Sequence, residues 1–591
     1  MNSKRIYVGL ANSVHDSSMA IIDENGEVLF AESTERYLQN KRAIGISPDC
    51  FVWVRKVLDT YAKDATQIVL SRSWSDNMNN IVDGQIEKVV ELEPIIEKYS
   101  SQINEELLYE FYYGKFMAYA SKNMLAKPGV CFEYELNNRE NISSKIIKNI
   151  GWNHHLSHAA TACLTSGLDS GLCVILDCYG EESAVAVYEY NKNEESLEKM
   201  FVCDEELTYK STASLGSYYS LLCRLCGFDS LKGEEWKVMG LACYGKMNQE
   251  FYDKLRDLIW IEDGYLVEKE PLKKNKVVEE LTKYKLQKGQ DFLEVADIAF
   301  TGQKYFEDIL IAFLKICYEK HPNKNLLFGG GCALNSKANG LILQNTPFEK
   351  LHIYSAPSDD GNALGAAYLS FLSMGGKKDN LKLLTPYLGS SLDSDKLEKL
   401  KQYGWGNIQY VGEKQYEIAA KLLTEGKIIG WANGRAEFGP RALGNRSILA
   451  DPRHQDVKDH LNAHVKFREG FRPFAPSILE EFADEYFKDV EDSPYMQKTL
   501  LFRENKYDVV SGVVHFDGTG RLQTVKKEWN PQYYQLIHTF YEMTGVPVLL
   551  NTSFNVMGKP IIHSVEDAVA VFATSGIDAL FMEGFYLSKQ E

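Results

Sequence analysis

Three histidines lie close together in residues 152–158, which read WNHHLSH, although the whole chain has only 12. His154 and His158 are one helical turn apart, so a helix would place their imidazoles on one face and His155 on another. Asn153 is a good N-cap and small or apolar residues follow at helical intervals, which predicts that a helix begins here. Two imidazoles on one helical face are a common way to hold a metal ion. Surface or capping histidines are the alternative.

Two aspartates could complete such a site. Asp177 follows an apolar strand at the start of a turn, and Asp359 begins a turn that leads into a helix. Loops at such places often present functional side chains, although each aspartate could also be an ordinary turn or N-cap residue. Two imidazoles and two carboxylates suit Fe(II) or another borderline divalent ion better than a closed structural zinc site. The zinc protease signature is not met, because His155 occupies the position of its glutamate.

Three segments share a pattern of strands that lead into polar or glycine-rich turns. Residues 5–36 read as strand, turn, strand, turn, strand, and residues 171–190 repeat strand, turn, strand. Residues 325–343 are an apolar strand, three glycines and a helix start, where backbone amides can approach a nucleotide closely. Each segment alone occurs in many α/β proteins. Together they resemble the way in which the actin, sugar kinase and heat-shock ATPase fold holds ATP.

Length and composition limit the classes of protein to consider. The 591 residues are enough for two to four domains. The net charge of −17 argues against a nucleic-acid partner and is compatible with a small cationic substrate. The 11 irregularly spaced cysteines are typical of reduced thiols. The sequence has no apolar run of about 18 residues and no secretory h-region at its start, so we expect a cytoplasmic protein without a membrane partner.

A connector rich in glycine and lysine at residues 373–400 predicts a domain boundary. We therefore predict a metal- and nucleotide-binding domain over residues 1–375 and a second domain over residues 376–591. Within the first domain, residues 76–150 are acidic and mostly helix-like, which predicts a helical insertion. Such an insertion could serve as a lid, an acceptor pocket or an oligomer interface.

The second domain contains a local reversal of the overall charge. Six arginines and Lys466 lie between residues 435 and 472, on loops with glycine and proline. Guanidinium groups bind phosphate oxygens in a bidentate manner, so the cluster predicts a small polyanionic substrate. Ion pairing with some of the 82 acidic residues is the alternative. Polar loops further on offer Arg521, Asn551 and Ser553. The six arginines are Arg435, Arg441, Arg446, Arg453, Arg468 and Arg472.

Long motifs over nearly the whole chain resemble the O-carbamoyltransferase family, which includes the Nod-factor, cephamycin and tobramycin enzymes. The similarity runs from GLANSVHDSSMAI at residue 9 to YLSKQ at residue 590, apart from residues 76–150. The family joins a domain similar to the tRNA threonylcarbamoyl transferase catalytic subunit to one similar to threonylcarbamoyl-adenylate synthase. The resemblance implies an α/β protein with an actin/sugar kinase/heat-shock ATPase-like first domain and a twisted-sheet second domain. Its motifs are HHLSHAA, EEWKVMGLACYG, GGGCALN, EFGPRALGNRSILADPR, FREGFRPFAPS, HFDGTGRLQTV and TGVPVLLNTSFNVMGKPI.

The resemblance also implies roles for individual residues. His15, in the turn SVHDSS, is a candidate general base, since the pKa of histidine suits proton transfer near neutral pH. A turn histidine that is merely exposed is the alternative. Lys466 and Arg441 would act in catalysis in the second domain. The metal ligands would be His154, His158, Asp177 and Asp359; the residues that bind carbamoyl phosphate and ATP would be Arg441, Lys466, Arg472, Arg521, Asn551 and Ser553; and the first-domain nucleotide site would use Lys237, Gly330, Gly331 and Asn335.

The reaction implied by the family has two stages. In the second domain carbamoyl phosphate would lose phosphate, and the carbamate would attack the α-phosphate of Mg²⁺-bound ATP, giving carbamoyl-adenylate and pyrophosphate. In the first domain a substrate hydroxyl would attack the adenylate beside the metal, releasing AMP.

The acceptor would be an alcohol of antibiotic or toxin biosynthesis. The charge favours a cationic one, such as a saxitoxin-type guanidinium alkaloid. We also expect a homodimer, which is common in the family. A tRNA threonylcarbamoylation enzyme and a non-catalytic nucleotide-binding protein are the alternatives.

Overall fold

The structure is a computed structural model, and the chain divides into two compact units. Unit 1 contains Met1–Thr34, Arg42–Leu334 and Ile342–Leu384, and unit 2 contains Glu35–Lys41, Asn335–Leu341 and Thr385–Glu591. The structure describes residues 4–103, 105–125, 127–137, 145–192, 197–201, 213–269, 271–377, 382–403 and 407–589.

The strands lie in two groups along the chain. Those of the first group are β1 Arg5–Ala11, β2 Ser18–Asp23, β3 Val28–Ser33, β4 Gln67–Arg72, β5 Lys145–Gly151, β6 Ser170–Leu176, β7 Val185–Asn191, β8 Leu197–Phe201, β9 Ile259–Glu262, β10 Tyr265–Glu268, β11 Asn325–Gly329 and β12 Lys350–His352. Those of the second group are β13 Asn407–Tyr410, β14 Ile429–Ala432, β15 Arg446–Ala450, β16 Ala475–Leu479, β17 Lys498–Leu501, β18 Thr519–Val525, β19 Val548–Ser553, β20 Ala579–Met582 and β21 Phe585–Ser588.

The α-helices are distributed over both units. Those up to residue 345 are α1 Thr34–Leu38, α2 Phe51–Tyr61, α3 Met78–Tyr99, α4 Glu105–Leu125, α5 Val130–Asn137, α6 His154–Leu164, α7 Leu215–Leu225, α8 Glu235–Ala242, α9 Gln249–Arg256, α10 Pro271–Thr282, α11 Ala296–Lys320, α12 Ser336–Asn339 and α13 Ile342–Asn345. The later ones are α14 Asn362–Ser373, α15 Ser394–Gln402, α16 Gln415–Thr424, α17 Val457–Leu461, α18 Ala483–Tyr486, α19 Pro531–Thr544 and α20 Val565–Thr574. Within the described ranges, none of these helices has the length and hydropathy needed to cross a bilayer.

Unit 1 contains two five-stranded sheets of the same topology. The strand order is β3-β2-β1-β4-β5 in the first sheet and β8-β7-β6-β11-β12 in the second. In each sheet three consecutive strands form an antiparallel meander, a fourth strand pairs in parallel with the first of them, and a fifth pairs in parallel with the fourth. This repeated α/β arrangement is the one required by the predicted actin/sugar kinase/heat-shock ATPase-like fold, and the predicted fold class is confirmed.

Small residues bring helices α6 and α14 close together in unit 1. A Cβ atom on Gly365 of α14 would lie 1.9 Å from the Ser157 carbonyl oxygen of α6, and one on Gly9 of β1 would lie 1.6 Å from the Ala363 oxygen. Because such distances are impossible for real atoms, only glycine permits this approach. The close packing sets the distance between the start of α6 and the turn before α14.

The predicted insertion over residues 76–150 contains α3, α4 and α5. Lys122 on α4 forms an ion pair with Asp83 on α3 at 2.6 Å, and Lys115 on α4 pairs with Glu93 on α3. The same stretch also contains strand β5, which lies at the edge of the first sheet. At this edge the residues of β5 are exposed or half-buried. Their sequence, KIIKNIG, accordingly lacks the continuous apolar pattern of a central strand.

Unit 2 is built on one mixed nine-stranded sheet, with the order β13-β21-β20-β14-β15-β19-β16-β18-β17. The central strands β14, β15 and β16 are buried along their whole length. Trp431 on β14 is fully buried beside Phe581 and Tyr416, within a core to which α16, α19 and α20 contribute. This is the α/β architecture predicted for the second domain.

Candidate metal centre and anion site

The four predicted metal ligands meet in unit 1, and we call them the metal centre. The Nε2 atoms of His154 and His158 both lie 3.3 Å from Asp177 Oδ2, and they lie 3.5 and 3.4 Å from Asp359 Oδ1. All four side chains are buried. Ligand atoms about 2.0–2.2 Å from one tetrahedral ion lie roughly 3.3–3.6 Å apart, so the four groups fit a shared divalent ion.

Local structure orients each ligand. Asn153 caps helix α6 by accepting a hydrogen bond from the Leu156 amide at 3.1 Å, as predicted, and this places both histidines in the first turns. Asp177 directly follows β6, and its Oδ1 accepts hydrogen bonds from the amides of Cys178 at 2.8 Å and Gly331 at 3.1 Å. The Oδ2 atom of Asp177 is therefore left to face the histidines.

A second layer of contacts holds His154. The Trp74 ring stacks on the imidazole, with centroids 3.8 Å apart and planes 13° apart. Asn362 places its amide group 3.4 Å from His154 Nδ1, and its buried Oδ1 has no hydrogen-bond partner in the described part of the chain. Rotating this amide by a half-turn gives Oδ1 a donor, the Nδ1–H of His154, and leaves Nε2 for a metal.

The electrostatics of the metal centre favour exchange of protons for a cation. Burial alone lowers the pKa of His154, but hydrogen bonds with Asp177 and Asp359 outweigh it and raise this pKa to about 10. The pKa of His158 is raised against the same burial effect. Burial raises the pKa of each carboxyl, but the two histidines hold both pKa values well below the usual range. The carboxylates thus favour protonated histidines, and a divalent ion that replaces the protons would supply the same positive charge.

His15 lies at the edge of the metal centre. Its Nδ1 is 2.9 Å from Asp16 Oδ2 and 4.0 Å from Asp359 Oδ2, and its side chain is 21% exposed. Arg42 pairs with Asp16 at 2.9 Å. Sequence reasoning selected His15 but missed Asp16 and Arg42 as its neighbours; the adjacent HD pair was the only signal available for Asp16.

A half-buried acidic and aromatic group lies next to His15, and sequence reasoning also missed it. Glu235 accepts a hydrogen bond from Ser220 at 3.1 Å, burial raises its pKa, and it interacts electrostatically with Arg42 and His15. Tyr113, from helix α4 of the insertion, interacts with Arg42 and Glu235, and burial raises its pKa to about 12. Sequence spacing gave no signal for Glu235 or Tyr113, because α8 and α4 lie more than a hundred residues apart along the chain.

Two of the predicted nucleotide residues of the first domain, Gly330 and Gly331, have amides that donate within the protein. The Gly330 amide donates to the Pro357 oxygen at 2.9 Å, and the Gly331 amide donates to Asp177 as described above. Gly330 has a φ of 87°, and a Cβ there would lie 2.2 Å from the Leu176 oxygen, so only glycine fits. These glycines position the metal loop as well as being candidates for phosphate contacts.

The other two predicted nucleotide residues are not brought beside these glycines by any described contact. Lys237 is buried on α8, pairs with Glu234 at 2.8 Å and lies 5.3 Å from the Phe228 ring centroid. Asn335 belongs to unit 2, where it caps α12 by accepting from the Ala338 amide at 3.1 Å. A nucleotide-binding role for either residue stays a prediction.

In unit 2, Lys466 ends a π-helical segment, Asn462–Lys466, and is only 3% exposed. Its Nζ donates to the carbonyl oxygens of Ser553 and Asn555, both at 2.8 Å, and to Ser553 Oγ at 3.2 Å. Burial holds the pKa of Lys466 well below its usual range, and Arg468 and Arg472 lower it further. The ammonium is therefore held by neutral oxygens and lies among other cations.

Only some of the clustered arginines gather around this lysine. Burial, followed by Arg441, Arg468 and Arg472, lowers the pKa of Arg521. Among the ion pairs of the described residues, Arg472 pairs with Glu469 at 3.1 Å, whereas none includes Arg441, Arg468 or Arg521. We call the following group the anion site: Arg441, Lys466, Arg468, Arg472, Arg521, Asn551 and Ser553.

The remaining clustered arginines have structural partners. Arg446 donates to the carbonyl oxygens of residues 390, 433, 434 and 445, and Arg435 donates to those of residues 388 and 389. Arg453 pairs with Asp451 at 2.6 Å. Three of the six arginines therefore lie at the anion site, as expected for anion binding. The other three are held by contacts within the protein.

Asn551 contributes a polar group beside these cations on strand β19. Its Nδ2 donates to Ser477 Oγ and Gln523 Oε1, both at 3.0 Å, and to the Ala442 oxygen at 3.2 Å. Its buried Oδ1 accepts no hydrogen bond within the described ranges. This oxygen is available to a donor such as the amide of a carbamoyl group.

Fold and site together define a two-unit α/β protein with a metal centre in one unit and an anion site in the other. Residues 6–368 match the family model described as carbamoyltransferase N-terminus, and residues 420–589 match carbamoyltransferase C-terminus. The chain belongs to the carbamoyltransferase family and is a carbamoyltransferase, as the sequence motifs predicted.

Curated relatives include proteins from archaea and rhizobia. An uncharacterised protein of Methanocaldococcus jannaschii is 37% identical over 456 residues, which is 74% of each chain. The nodulation protein NolO of Bradyrhizobium diazoefficiens is 34% identical over 74% of this chain and 79% of its own length. The nodulation protein NolNO of Sinorhizobium fredii is 35% identical over 74% of this chain but only 63% of its own length.

Solved structures with a partial likeness include full-length HypF in its phosphate- and nucleotide-bound form, with 12% identity, a TM-score of 0.34 and coverage of 64% of this chain and 47% of that one. A ROK family glucokinase from Streptomyces griseus, in complex with glucose and AMPPNP, has 9% identity and a TM-score of 0.27, over 62% of this chain and 98% of its own.

Proposed function

We propose that this carbamoyltransferase uses ATP and carbamoyl phosphate to form carbamoyl-adenylate, and then transfers the carbamoyl group to a hydroxyl of a small cationic molecule. The observation that carries the proposal is the anion site, where a buried lysine and several arginines lie together and Arg441, Arg468 and Arg521 form no ion pair with described residues. Like charges buried together favour a bound polyanion, because the anion supplies the missing countercharge.

Within the anion site, the guanidinium groups would bind the phosphate of carbamoyl phosphate and the α-phosphate of Mg²⁺-bound ATP. Lys466 and Arg441 would stabilise the charge that develops during phosphoryl transfer. Lys466 is held by the oxygens of Ser553 and Asn555, so it is oriented before substrate binds. The unpartnered Oδ1 of Asn551 would accept a hydrogen bond from the carbamoyl amide.

The second stage would take place at the metal centre of unit 1. His154, His158, Asp177 and Asp359 would hold Fe(II) or another divalent ion, which when bound supplies a Lewis acid that polarises the acyl group. His15 would remove the proton of the attacking hydroxyl, since it lies at the edge of this centre. Gly330, Gly331, Lys237 and Asn335 remain the proposed nucleotide-binding residues of this stage; the two glycines would act by letting the ligand approach the backbone closely.

The cationic acceptor is supported by the charged groups beside His15. Glu235 is half-buried and forms no ion pair of the kind recorded for other carboxylates of the described residues, so it could pair with an ammonium or guanidinium group. The Tyr113 ring, from the insertion, could stack on such a cation. A guanidinium alkaloid alcohol of the saxitoxin type is one acceptor of this class, and toxin or antibiotic biosynthesis is the matching context.

The test is pyrophosphate release from ATP by the full chain, with and without carbamoyl phosphate. We expect release only with carbamoyl phosphate, a loss of more than about 100-fold in Lys466→Ala, and near-normal release in His158→Ala. The exposed residues Lys427 and His538 provide matched controls through Lys427→Ala and His538→Ala. Equal pyrophosphate release with and without carbamoyl phosphate would contradict its role as the carbamoyl donor.

A further inference from the structure

The turn between β1 and β2 places a carboxylate on one nitrogen of His15. Asp16 Oδ2 lies 2.9 Å from His15 Nδ1, and the same oxygen accepts from Arg42 Nη2 at 2.9 Å and Nε at 3.2 Å. Arg42 is anchored in turn, because its Nη1 donates to the carbonyl oxygens of Ser230 at 3.3 Å and Leu231 at 3.1 Å. A chain of hydrogen bonds therefore runs from the 230–231 loop to the imidazole.

The backbone around this chain is held in a costly conformation. Asp16 has a φ of 56°, Arg42 of 61° and Ala43 of 44°, all in the left-handed region. Residues with a Cβ atom rarely adopt this conformation, and it persists only where the surroundings fix it. The Asp16 amide donates to the Arg42 carbonyl oxygen at 2.8 Å, so the two strained segments hold each other. Strain of this kind is concentrated at functional sites.

The hydrogen-bond directions decide which nitrogen of His15 carries a proton. Burial raises the pKa of Asp16, but Arg42 and His15 outweigh this and hold the pKa well below its usual range. An ionised carboxylate only accepts hydrogen bonds, so His15 Nδ1 must be the donor. In the neutral imidazole, Nε2 is then the unprotonated nitrogen.

We propose that Asp16, fixed by Arg42, is a positioning residue that holds His15 in the Nδ1–H tautomer with Nε2 ready to accept a proton. The inference rests on the proposed function, in which His15 acts on the acceptor hydroxyl. In that step the hydroxyl oxygen bonds to the carbamoyl carbon, the bond from this carbon to the AMP oxygen breaks, and the hydroxyl proton passes to Nε2. The electron pair leaves with AMP.

Asp16→Asn is the sharpest variant, because asparagine tolerates a left-handed backbone and keeps the shape of the side chain. Because Arg42 donates to the oxygen that also faces Nδ1, the asparagine oxygen would stay there and still accept from Nδ1–H, but without the negative charge that stabilises the imidazolium formed when Nε2 takes a proton. Asp16→Gly, which also tolerates a left-handed backbone, removes the acceptor and frees the imidazole proton to move to Nε2. Asp263→Asn is a matched control, since Asp263 also has a positive φ of 53° but is exposed in the β9–β10 turn. Arg42→Lys tests the anchor separately.

The activity readout uses two nucleophiles that need no known acceptor, water and hydroxylamine, with AMP formation measured in the presence of ATP and carbamoyl phosphate. Water depends on a base, so we expect its kcat to fall about 100-fold or more in Asp16→Asn with KM for carbamoyl phosphate unchanged. Hydroxylamine attacks through a free nitrogen lone pair, so its rate should fall much less. Equal losses with both nucleophiles would show a merely structural role and overturn the proposal.

A spectroscopic readout separates this proposal from the proposed function. In full-length protein labelled with ¹⁵N-histidine, the imidazole signals identify the protonated nitrogen, and His15→Asn assigns those of His15. We expect Nδ1–H in the wild type and in Asp16→Asn, and Nε2–H in Asp16→Gly. An Nε2–H tautomer in the wild type would overturn the positioning role. If AMP fails to form from carbamoyl phosphate, the proposed function fails, and the tautomer still decides the role of Asp16.

Discussion

The metal centre of unit 1 and the anion site of unit 2 both bury several charged groups, but they balance them differently. At the metal centre two histidines contact two carboxylates, so each charge has an opposite partner within 3.5 Å. At the anion site the cations lie among one another, and most of their hydrogen-bond acceptors are neutral oxygens. The charges of the metal centre therefore favour the exchange of protons for a cation, whereas those of the anion site favour the binding of an anion.

The largest effect expected from this comparison follows loss of one carboxylate from the metal centre. Asp177→Ala leaves Asp359 as the single carboxylate beside two buried histidines, which should destabilise the protein by roughly 3–5 kcal/mol and weaken metal binding more than about 100-fold. Chemical denaturation and metal titration measure the two effects. Asp169→Ala, at an exposed position before β6, is the control. Full metal binding in Asp177→Ala would contradict the assignment of the ligands.

The pH dependence of metal binding is the next largest effect. The hydrogen bonds that raise the pKa of His154 to about 10 stabilise the protein fully below pH 6.5, and this contribution is lost as the pH rises through about 10. A metal needs neutral His154 and His158, so each ion should release at least about one proton at pH 7, from His154, and its affinity should rise at least about tenfold per pH unit. Calorimetry in buffers of different ionisation enthalpy counts the protons. Binding without proton release would disprove the exchange.

Loss of one cation from the anion site should have the opposite effect on stability. Arg521→Ala should weaken carbamoyl phosphate binding roughly 10- to 100-fold, the cost of a charge-assisted hydrogen bond. Because Arg521 lies among like charges, the ligand-free protein should lose little stability or gain some. Calorimetric titration and thermal unfolding test both statements, with the exposed Arg503→Ala as control. A large loss of stability would mean that Arg521 has a countercharge.

The smallest effect expected concerns the support of His154. Trp74→Leu removes the stacked ring, and a ring pair is worth about 0.5–1.5 kcal/mol, so metal affinity should fall about two- to tenfold. Trp74→Phe should restore most of it, since phenylalanine keeps an aromatic face. Metal titration of both variants distinguishes ring stacking from simple loss of volume. Equal affinities in Trp74→Leu and the wild type would show that stacking does not orient the ligand.

The extent to which the site could be predicted depends on the distance along the chain. His154 and His158 were identified by helical spacing, and the Asn153 cap by residue type, because these effects act within one turn of a helix. Asp177 and Asp359 were suggested by their places at turns and by the family motifs. The approach of Asp359 to the histidines depends on the packing of α6 against α14, and that of Asp177 on the packing of α6 against β6; no local pattern encodes either contact.

The arginine-rich segment shows the limit of composition as a guide. Its charge correctly indicated a concentration of cations, but Arg435, Arg446 and Arg453 have the same residue type and spacing as the others. Arg435 and Arg446 donate hydrogen bonds to backbone carbonyl oxygens, including those of residues 388–390. Arg453 forms an ion pair with Asp451. Only the path of the chain shows which guanidinium groups remain for a ligand.

The sequence by itself determined the doubled strand pattern, the helix that carries two histidines, the cationic segment and the family, because each is carried by residues close in sequence or by long motifs. The tertiary structure alone decided the contact of Asp16 with Arg42, the approach of Glu235 and Tyr113 to Arg42, and the separation of the structural arginines from those of the anion site. Hydrogen bonds and Coulomb forces act over a few ångströms of space, and the fold brings together groups that lie tens or hundreds of residues apart.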